Sequence, residues 1–469
     1  MKLVFEAHPA KAAAKAARVC FVTREERGKR LPRVSEKEFS AKPNALLHHS
    51  HEATLYVGLG ERGRVKAATL RSAAGASTMA LKKIGRTHLA VELTAWPQFT
   101  DAVVEGIVLA DYRFDRFASK RNEPIENVSV QVPAGDLAAA KRAGQRALVI
   151  AEAANAIREI GNLPGNVLYP ESLAARAVKL AGKAKLKVSI LDETKLRERG
   201  FGGLLAVGQG SGRGPRFIIL EHRGGPKSQR PIALVGKAIT FDTGGISIKP
   251  AANMEDMIFD KCGGMAVLGA MTAISRLKVK RNVVGLIASA ENMPGGNAYR
   301  PGDIVTTYDG KHIEIINTDA EGRVVLADAI AYARRDCRAA AIVDLATLTG
   351  ACVVALGEYA AGLFSSDDPL RDRLLAASET TGEKLWPLPL FSEHDDQIKS
   401  DVALIKNTGG RWGGASTAAA FLKTFAEDTP WAHLDIAPVA HLGRDRTDLA
   451  RGATGFGVRT LVELIVCWK

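Results

Sequence analysis

The chain has 469 residues, 46% apolar and 25% charged, with a formal net charge of +13. At ~100–200 residues per domain that length predicts two or three domains. The composition is that of an ordinary globular protein, whose core is large enough to need no covalent staples. The first 21 residues are broken by Glu6, His8, Lys11, Lys15 and Arg18. They hold no apolar stretch of the secretory type, and no run of ~18 apolar residues predicts a membrane span. Residues 9–17 are rich in Ala and Lys and read as a surface helix or loop, the other reading being a short amphipathic presequence. Cys20, Cys262, Cys337, Cys352 and Cys467 are odd in number, far apart and without CxxC spacing. That argues against a disulfide framework or a thiolate zinc site and for a reducing compartment, most simply the cytoplasm. Most of the basic excess lies in residues 1–160.

In chain order, residues 18–23 and 53–58 read as strands, and residues 65–81 and 97–109 as helices. This predicts a smaller N-terminal α/β domain over residues 1–140. Ala-rich helical periodicity then runs from 134 to 160 and stops at Gly161, followed by the turn sequence NLPGN. Residues 141–165 are therefore expected to form a linking helix and turn. Beyond it, apolar runs at 187–191, 216–220, 231–235, 283–288 and 340–345 alternate with helical segments at 172–181, 264–275 and 323–335. Such alternation predicts an α/β domain over 166–469 with a mainly parallel central sheet covered on both faces. In such sheets, sites gather at the carboxyl ends of the strands.

The densest polar segments lie beside those runs. The first, 236–250, carries Lys237, Asp242 and Lys249, with glycines at 236, 244 and 245 for tight turning and Pro250 holding Lys249 extended. The second places Asp260 before a glycine-led helix. The third is NTDAEGR at 317–323, in which Asp319 and Glu321 would point the same way if the segment were extended. Singly, each has an ordinary explanation: a surface ion pair, or acids capping a helix. Together they place four carboxylates among apolar neighbours, which is costly without cations. Two lysines do not balance four acids, whereas two divalent cations do if one lysine ligates in its neutral form. With no histidine in the three segments, the donors are oxygen-rich and suit Mn, Mg, Co or Zn.

These segments resemble the leucine aminopeptidase (cytosol aminopeptidase) family. Its NTDAEGR motif is unbroken at 317–323, and the pattern K-x4-D-x-G-G-x3-K-P runs from Lys237 to Pro250. The likeness continues through ATLTGA, GGRWGGASTAAAFL, WAHLDIA and GATG, and so covers roughly residues 150 to 469. The resemblance implies a metallo-aminopeptidase with two divalent ions, Mn or Zn before Co or Mg. Asp242 and Glu321 would bridge them, Asp319 would complete the more exchangeable site, and Lys237 with Asp260 the tighter one. Two ions ~3.5–4 Å apart can share and activate a water. Lys249 would stabilise the oxyanion, and Arg323, at the start of a helix near Val324, would hold a bicarbonate that shuttles protons, with backbone contacts from Gly322 and Leu348. Met257, Thr347 and Gly350 match the first specificity pocket, which would favour leucine and other apolar residues. Pro438 departs from the glycine common after HLDIA, which puts side-chain preference in question. Peptide substrates, a homohexamer and cytoplasmic location are implied as well.

Two other readings differ in class. The basic N-terminal third could bind DNA, as some bacterial family members do, although no helix-turn-helix, zinc finger or aromatic-basic motif is present. The glycine-rich run 208–214 lacks the Gly-Lys-Ser/Thr ending of a phosphate-binding loop and is better explained by turning.

Overall fold

The computed structural model describes residues 1–8 and 16–468, so that residues 9–15 of the Ala/Lys-rich segment lie outside the described residues. The described residues form two compact units. The first comprises residues 1–155 with 380–382 and 442–452, and the second residues 156–379, 383–441 and 453–469.

The first unit carries six strands: β1 (Lys2–Ala7), β2 (Ala17–Thr23), β3 (Leu46–His49), β4 (Thr54–Gly60), β5 (His88–Glu92) and β6 (Asn127–Val132). They lie in the order β1-β6-β5-β2-β4-β3, parallel except for β3 against β4. Helices α1 (Ala67–Lys83) and α2 (Thr100–Asp111) pack on each other. At Gly106 they approach so closely that a Cβ would meet the Arg71 carbonyl at 2.2 Å. Helix α3 (Leu137–Gly161) contains the division between the units at 155/156.

In the second unit follow α4 (Pro170–Ala184), β7 (Lys187–Leu191), β8 (Arg216–Arg223), β9 (Ile232–Asp242), α5 (Cys262–Arg276) and β10 (Asn282–Asn292). Then come β11 (Ile304–Thr306), β12 (His312–Glu314), α6 (Glu321–Arg335), β13 (Ala341–Ala346), α7 (Gly350–Leu356), β14 (Ala361–Ser365), β15 (Leu385–Pro387), β16 (Ile405–Lys406), α8 (Gly414–Ala426) and β17 (Trp431–Asp435). The central sheet runs β15-β14-β17-β13-β9-β10-β8-β7, and β11, β12 and β16 form a separate small sheet. The four middle strands, β17, β13, β9 and β10, are mutually parallel, so Asp435, Ala346, Asp242 and Asn292 all end at one pole. They are buried along their length because both faces are covered, and they are mostly apolar, with Lys237, Thr240, Ser289, Asp344 and His433 as buried polar exceptions. One face carries α6 and α8 over a core that includes Val235, Leu286, Val325, Ile330, Phe421 and Trp431.

The opposite face receives α5, which is buried from Cys262 to Ile274. Its approach depends on glycine. A Cβ at Gly263 would sit 2.1 Å from the Leu345 carbonyl, and one at Gly236 would sit 2.6 Å from Gly264 Cα. The stretch 254–276, which includes α5, is long and apolar enough to cross a membrane by length and composition, yet 89% of its apolar window is buried inside the unit. This differs from the sequence reading, which found no such run. Its place as a core helix explains the composition.

Two element bounds also differ from expectation. β9 continues to Asp242 rather than ending at Val235, because Lys237 and Asp242 are buried strand residues. α6 begins at Glu321, so Asp319 stands in the preceding turn and the Asp-Ala-Glu segment is not extended. None of the five cysteines forms a disulfide: Cys20, Cys262 and Cys352 are buried, Cys337 is half-buried and Cys467 is exposed.

Candidate metal centre

The four predicted carboxylates converge beyond the carboxyl end of β9. Oxygens of Asp242, Asp319 and Glu321 lie within 4.8 Å of one another. Lys237 connects this group to Asp260, its Nζ standing 2.7 Å from Glu321 Oε1 and 2.9 Å from Asp260 Oδ1. Lys249 faces the other side, with Nζ 2.8 Å from Asp242 Oδ2 and in contact with Asp319 Oδ1. The two lysines thus touch all four acids. Lys237, Asp242, Asp260 and Glu321 are buried, while Lys249 and Asp319 keep side-chain exposures of 21% and 35% and form the open edge.

Local backbone explains the convergence. Lys237 and Asp242 ride on one rigid strand. After β9 the chain turns through Gly244 and Gly245 at φ +87° and +67°, and the Lys249 amide donates to the Thr243 carbonyl at 2.9 Å. A Cβ on Gly245 would meet Asn292 Oδ1 at 2.7 Å. Asp260 follows the short 3-10 helix Met254–Phe259, in which Met257 is half-buried. Glu321 starts α6, and Gly322 leaves room for Lys237, since a Cβ there would lie 2.7 Å from its Nζ.

Burial opposes both ammonium charges, but the acids outweigh it. Asp260, Glu321 and Asp242 hold Lys237 above the ordinary lysine range, and Asp242, Glu321 and Asp319 do the same for Lys249. Burial raises Asp260 and Glu321 above the ordinary carboxylate range, with Asp242 adding to the rise and Lys237 opposing it. Asp319 rises for the same first reason. Asp260 Oδ2 is buried with no hydrogen-bond partner among the described residues. Buried acids with unspent oxygens, no imidazole or thiolate among them, fit hard divalent cations.

Arg323 is buried in the first turn of α6, and its Nε and Nη1 have no hydrogen-bond partner among the described residues. Burial lowers its pKa to about 10, against the pull of Glu321 and Asp435. Thr347 braces the lysine side of the centre: its carbonyl accepts from Lys237 Nζ at 2.8 Å and its hydroxyl donates to Asp260 Oδ1 at 2.7 Å. Leu348 is half-buried, and its amide donates to Asp435 Oδ1 at 3.1 Å. Gly350 is exposed at the start of α7, with open space where a Cβ would stand.

Several supporting residues escaped the sequence reading. Asn292, at the end of β10, donates from Nδ2 to Asp242 Oδ1 at 2.8 Å and to the Thr318 carbonyl at 3.0 Å. Tyr299 donates to that same carbonyl at 2.8 Å. Asn407 accepts from the amides of Ile316 and Asn317 at 2.8 and 3.2 Å. Asn292 and Asn407 could have been marked only by their positions at strand ends, and Tyr299, in the loop after β10, had no such signal.

The pattern described as the cytosol aminopeptidase family, catalytic domain, matches residues 155–462, and that of the same family's N-terminal domain matches residues 4–121. The chain belongs to the cytosol aminopeptidase family. This aminopeptidase is 46% identical over 422 residues to a probable cytosol aminopeptidase of Syntrophotalea carbinolica, covering 88% of this chain and 85% of the relative. A probable cytosol aminopeptidase of Brucella melitensis is 46% identical over 425 residues, covering 88% and 87%. Among solved structures, the bottromycin maturation enzyme BotP in complex with Mn matches with a TM-score of 0.87 at 37% identity, over 97% of this chain and 99% of BotP. The aminopeptidase is thus a metal-dependent hydrolase of peptides with a mixed α/β, two-domain architecture.

Proposed function

We propose that this enzyme removes N-terminal leucine and other apolar residues from peptides, using two divalent ions held by Lys237, Asp242, Asp260, Asp319 and Glu321. The observation that carries this reading is the convergence of four carboxylates and two lysines at the carboxyl ends of the parallel strands. When bound, the ions supply an activated water and electrophilic positions for the free α-amine and the scissile carbonyl. BotP, described with Mn, supports manganese first, with zinc, cobalt or magnesium as substitutes.

The chain's own groups then divide the work. Lys249 stands at the open edge of the centre, beside Asp242 and Asp319 and within reach of solvent, and serves as the protonated lysine. It stabilises the oxyanion that develops on the carbonyl. Lys237 must lose its proton to serve as a ligand, and cation charge is what would drive that loss. Arg323 holds a bicarbonate through its unspent Nε and Nη1, with Gly322 beside it at the helix start. Bicarbonate supplies a proton acceptor and donor where the site has no histidine. Leu348 shares in this only through a second bond, since its amide already serves Asp435. Met257, Thr347 and Gly350 line the first side-chain pocket, and Pro438 alters its wall.

The homohexamer implied by the family resemblance needs subunit interfaces, and the large exposed apolar residues of the second unit, among them Val354 at 89%, Trp412 at 76% and Tyr359 at 73% exposure, offer surface for them. Cytoplasmic location is supported by the absence of disulfides among the described cysteines.

The test is leucine release from a leucine amide and from a leucyl peptide, before and after chelation, with Mn, Zn, Co and Mg restored singly. An N-acetylated substrate runs in parallel. The expected result is loss with chelator, recovery with metal and no turnover of the blocked substrate. Turnover of the blocked substrate would overturn the α-amine reading, and a preference for charged first residues would overturn the apolar pocket.

A further inference from the structure

Asp435 ends β17 and is fully buried, yet it touches none of the carboxylates or lysines of the centre. The hydrogen bonds of its carboxylate go to two loops. Oδ1 accepts from the Leu348 amide and from the Ala437 amide, both at 3.1 Å, and Oδ2 accepts from the Thr349 hydroxyl at 2.6 Å. Thr349 Oγ1 in turn accepts from the Cys352 amide at 3.0 Å and so caps α7. A buried carboxylate that receives three such bonds is a rigid clamp, because charge-assisted bonds are about twice as strong as neutral ones and leaving any one unmade is costly.

What it clamps is the segment 347–349. The first residue of that segment is Thr347, whose carbonyl takes the Lys237 ammonium and whose hydroxyl holds Asp260. Three consecutive residues therefore connect the end of β17 to the lysine side of the centre. Asp435 is also one of the two acids whose field acts on Arg323, the other being Glu321.

We infer that Asp435 is a positioning residue: through the 347–349 segment it sets the place of Thr347 and so orients Lys237 and Asp260 for metal. This rests on the proposed ligand role of Lys237 and Asp260. Partners that orient ligands cost about 10- to 100-fold in metal affinity or activity when lost. Acting one step further out, Asp435 is expected to lie near the lower end.

The experiment compares Asp435→Asn, Asp435→Ala, Thr349→Val and Lys237→Ala with the wild-type protein. It measures Mn affinity by calorimetry, kcat and KM on leucine amide at saturating Mn, and amide hydrogen exchange across residues 346–352. Asp435→Asn keeps an acceptor for the two amides but removes the charge, so it should weaken the tighter Mn site about tenfold. Asp435→Ala should weaken it further. Exchange should quicken in 346–352 and at Ala437, whose amide also loses its acceptor, with the rest of the second unit unmoved. Thr349→Val should shift Mn affinity in the same direction, and combined with Asp435→Asn it should add little, since both remove the same bond. Should Asp435→Ala fail to fold, Asp435→Asn and Thr349→Val still decide the matter. A lowered melting temperature with wild-type Mn affinity and kcat in both would overturn the inference and leave Asp435 a structural acid. If Lys237→Ala itself leaves Mn affinity unchanged, it is the ligand reading that falls.

Discussion

A single methyl group at position 322 would sit 2.7 Å from Lys237 Nζ and 2.8 Å from its Cδ. The lysine is walled in by Asp260, Glu321 and the Thr347 carbonyl and has no alternative place. Gly322→Ala is therefore expected to fold but to lose metal affinity by about tenfold or more, read as metal content after dialysis. Lys249 is a different case, because it sits at the open edge and serves the reaction. Lys249→Met should retain Mn and lose about 10²- to 10³-fold in kcat, as measured for single donors to an oxyanion. A pH effect follows from the raised carboxyls of Asp260 and Glu321. Groups with raised pKa hold protons near neutrality, and cations must displace them. Mn uptake should then release protons, from these carboxyls and from Lys237, and weaken as pH falls, including between about 8 and about 6 where the two carboxyls take up protons. Calorimetry in buffers of different ionisation enthalpy checks it, and a pH-independent affinity would refute it. At this scale the charged residues of the centre were legible in the sequence, because acids and lysines beside apolar runs are costly. The neutral and outer residues were not. Asn292, Tyr299 and Asn407 act through single hydrogen bonds whose partners lie elsewhere in the chain, and one sequence carries no trace of such pairings.

Among the elements, the strand β9 and the helix α5 decide how the centre is framed. Their contact is a glycine seam: Gly236 faces Gly264, and Gly263 faces the Leu345 carbonyl of β13. Gly263→Ala would force α5 off the sheet, because the Leu345 carbonyl, 2.1 Å from the added carbon, is backbone and cannot turn aside. Overpacking of this kind costs about 1–3 kcal/mol and at a backbone contact the upper end is expected. Chemical denaturation should show it as a lower midpoint, with Asp260 displaced and Mn affinity reduced. The helices that the sequence named, among them α3, α5 and α6, lie within a few residues of their expected bounds, whereas α7 and α8 were not read from it. β9 was cut short for a physical reason: polar Lys237, Thr240 and Asp242 look like a loop until burial by both covering layers makes them strand. The start of α6 was placed late for a related reason. Glu321 serves as its first residue and also faces Lys237, and the sequence pattern separates those two tasks poorly.

At the scale of the whole molecule, the alternation of apolar runs and helices pointed to a mainly parallel sheet, and the second unit has one. The first unit was less legible. Its strands β1, β3, β5 and β6 are short and lack motif residues, and β3 is largely exposed. The cysteines offer a measurement that spans both units. Burial pushes the thiols of Cys20, Cys262, Cys337 and Cys352 up to about 12. Cys467 alone is exposed, its thiol donating to Glu463 Oε1 at 3.2 Å. Thiolate is the reactive form, so a brief alkylation of native protein should add one label, at Cys467. Each further label needs a local opening. Cys20 lies in the first unit and Cys262, Cys337 and Cys352 in the second. A mass spectrum taken over time would therefore clock how often each unit breathes, and whether one opens while the other stays shut.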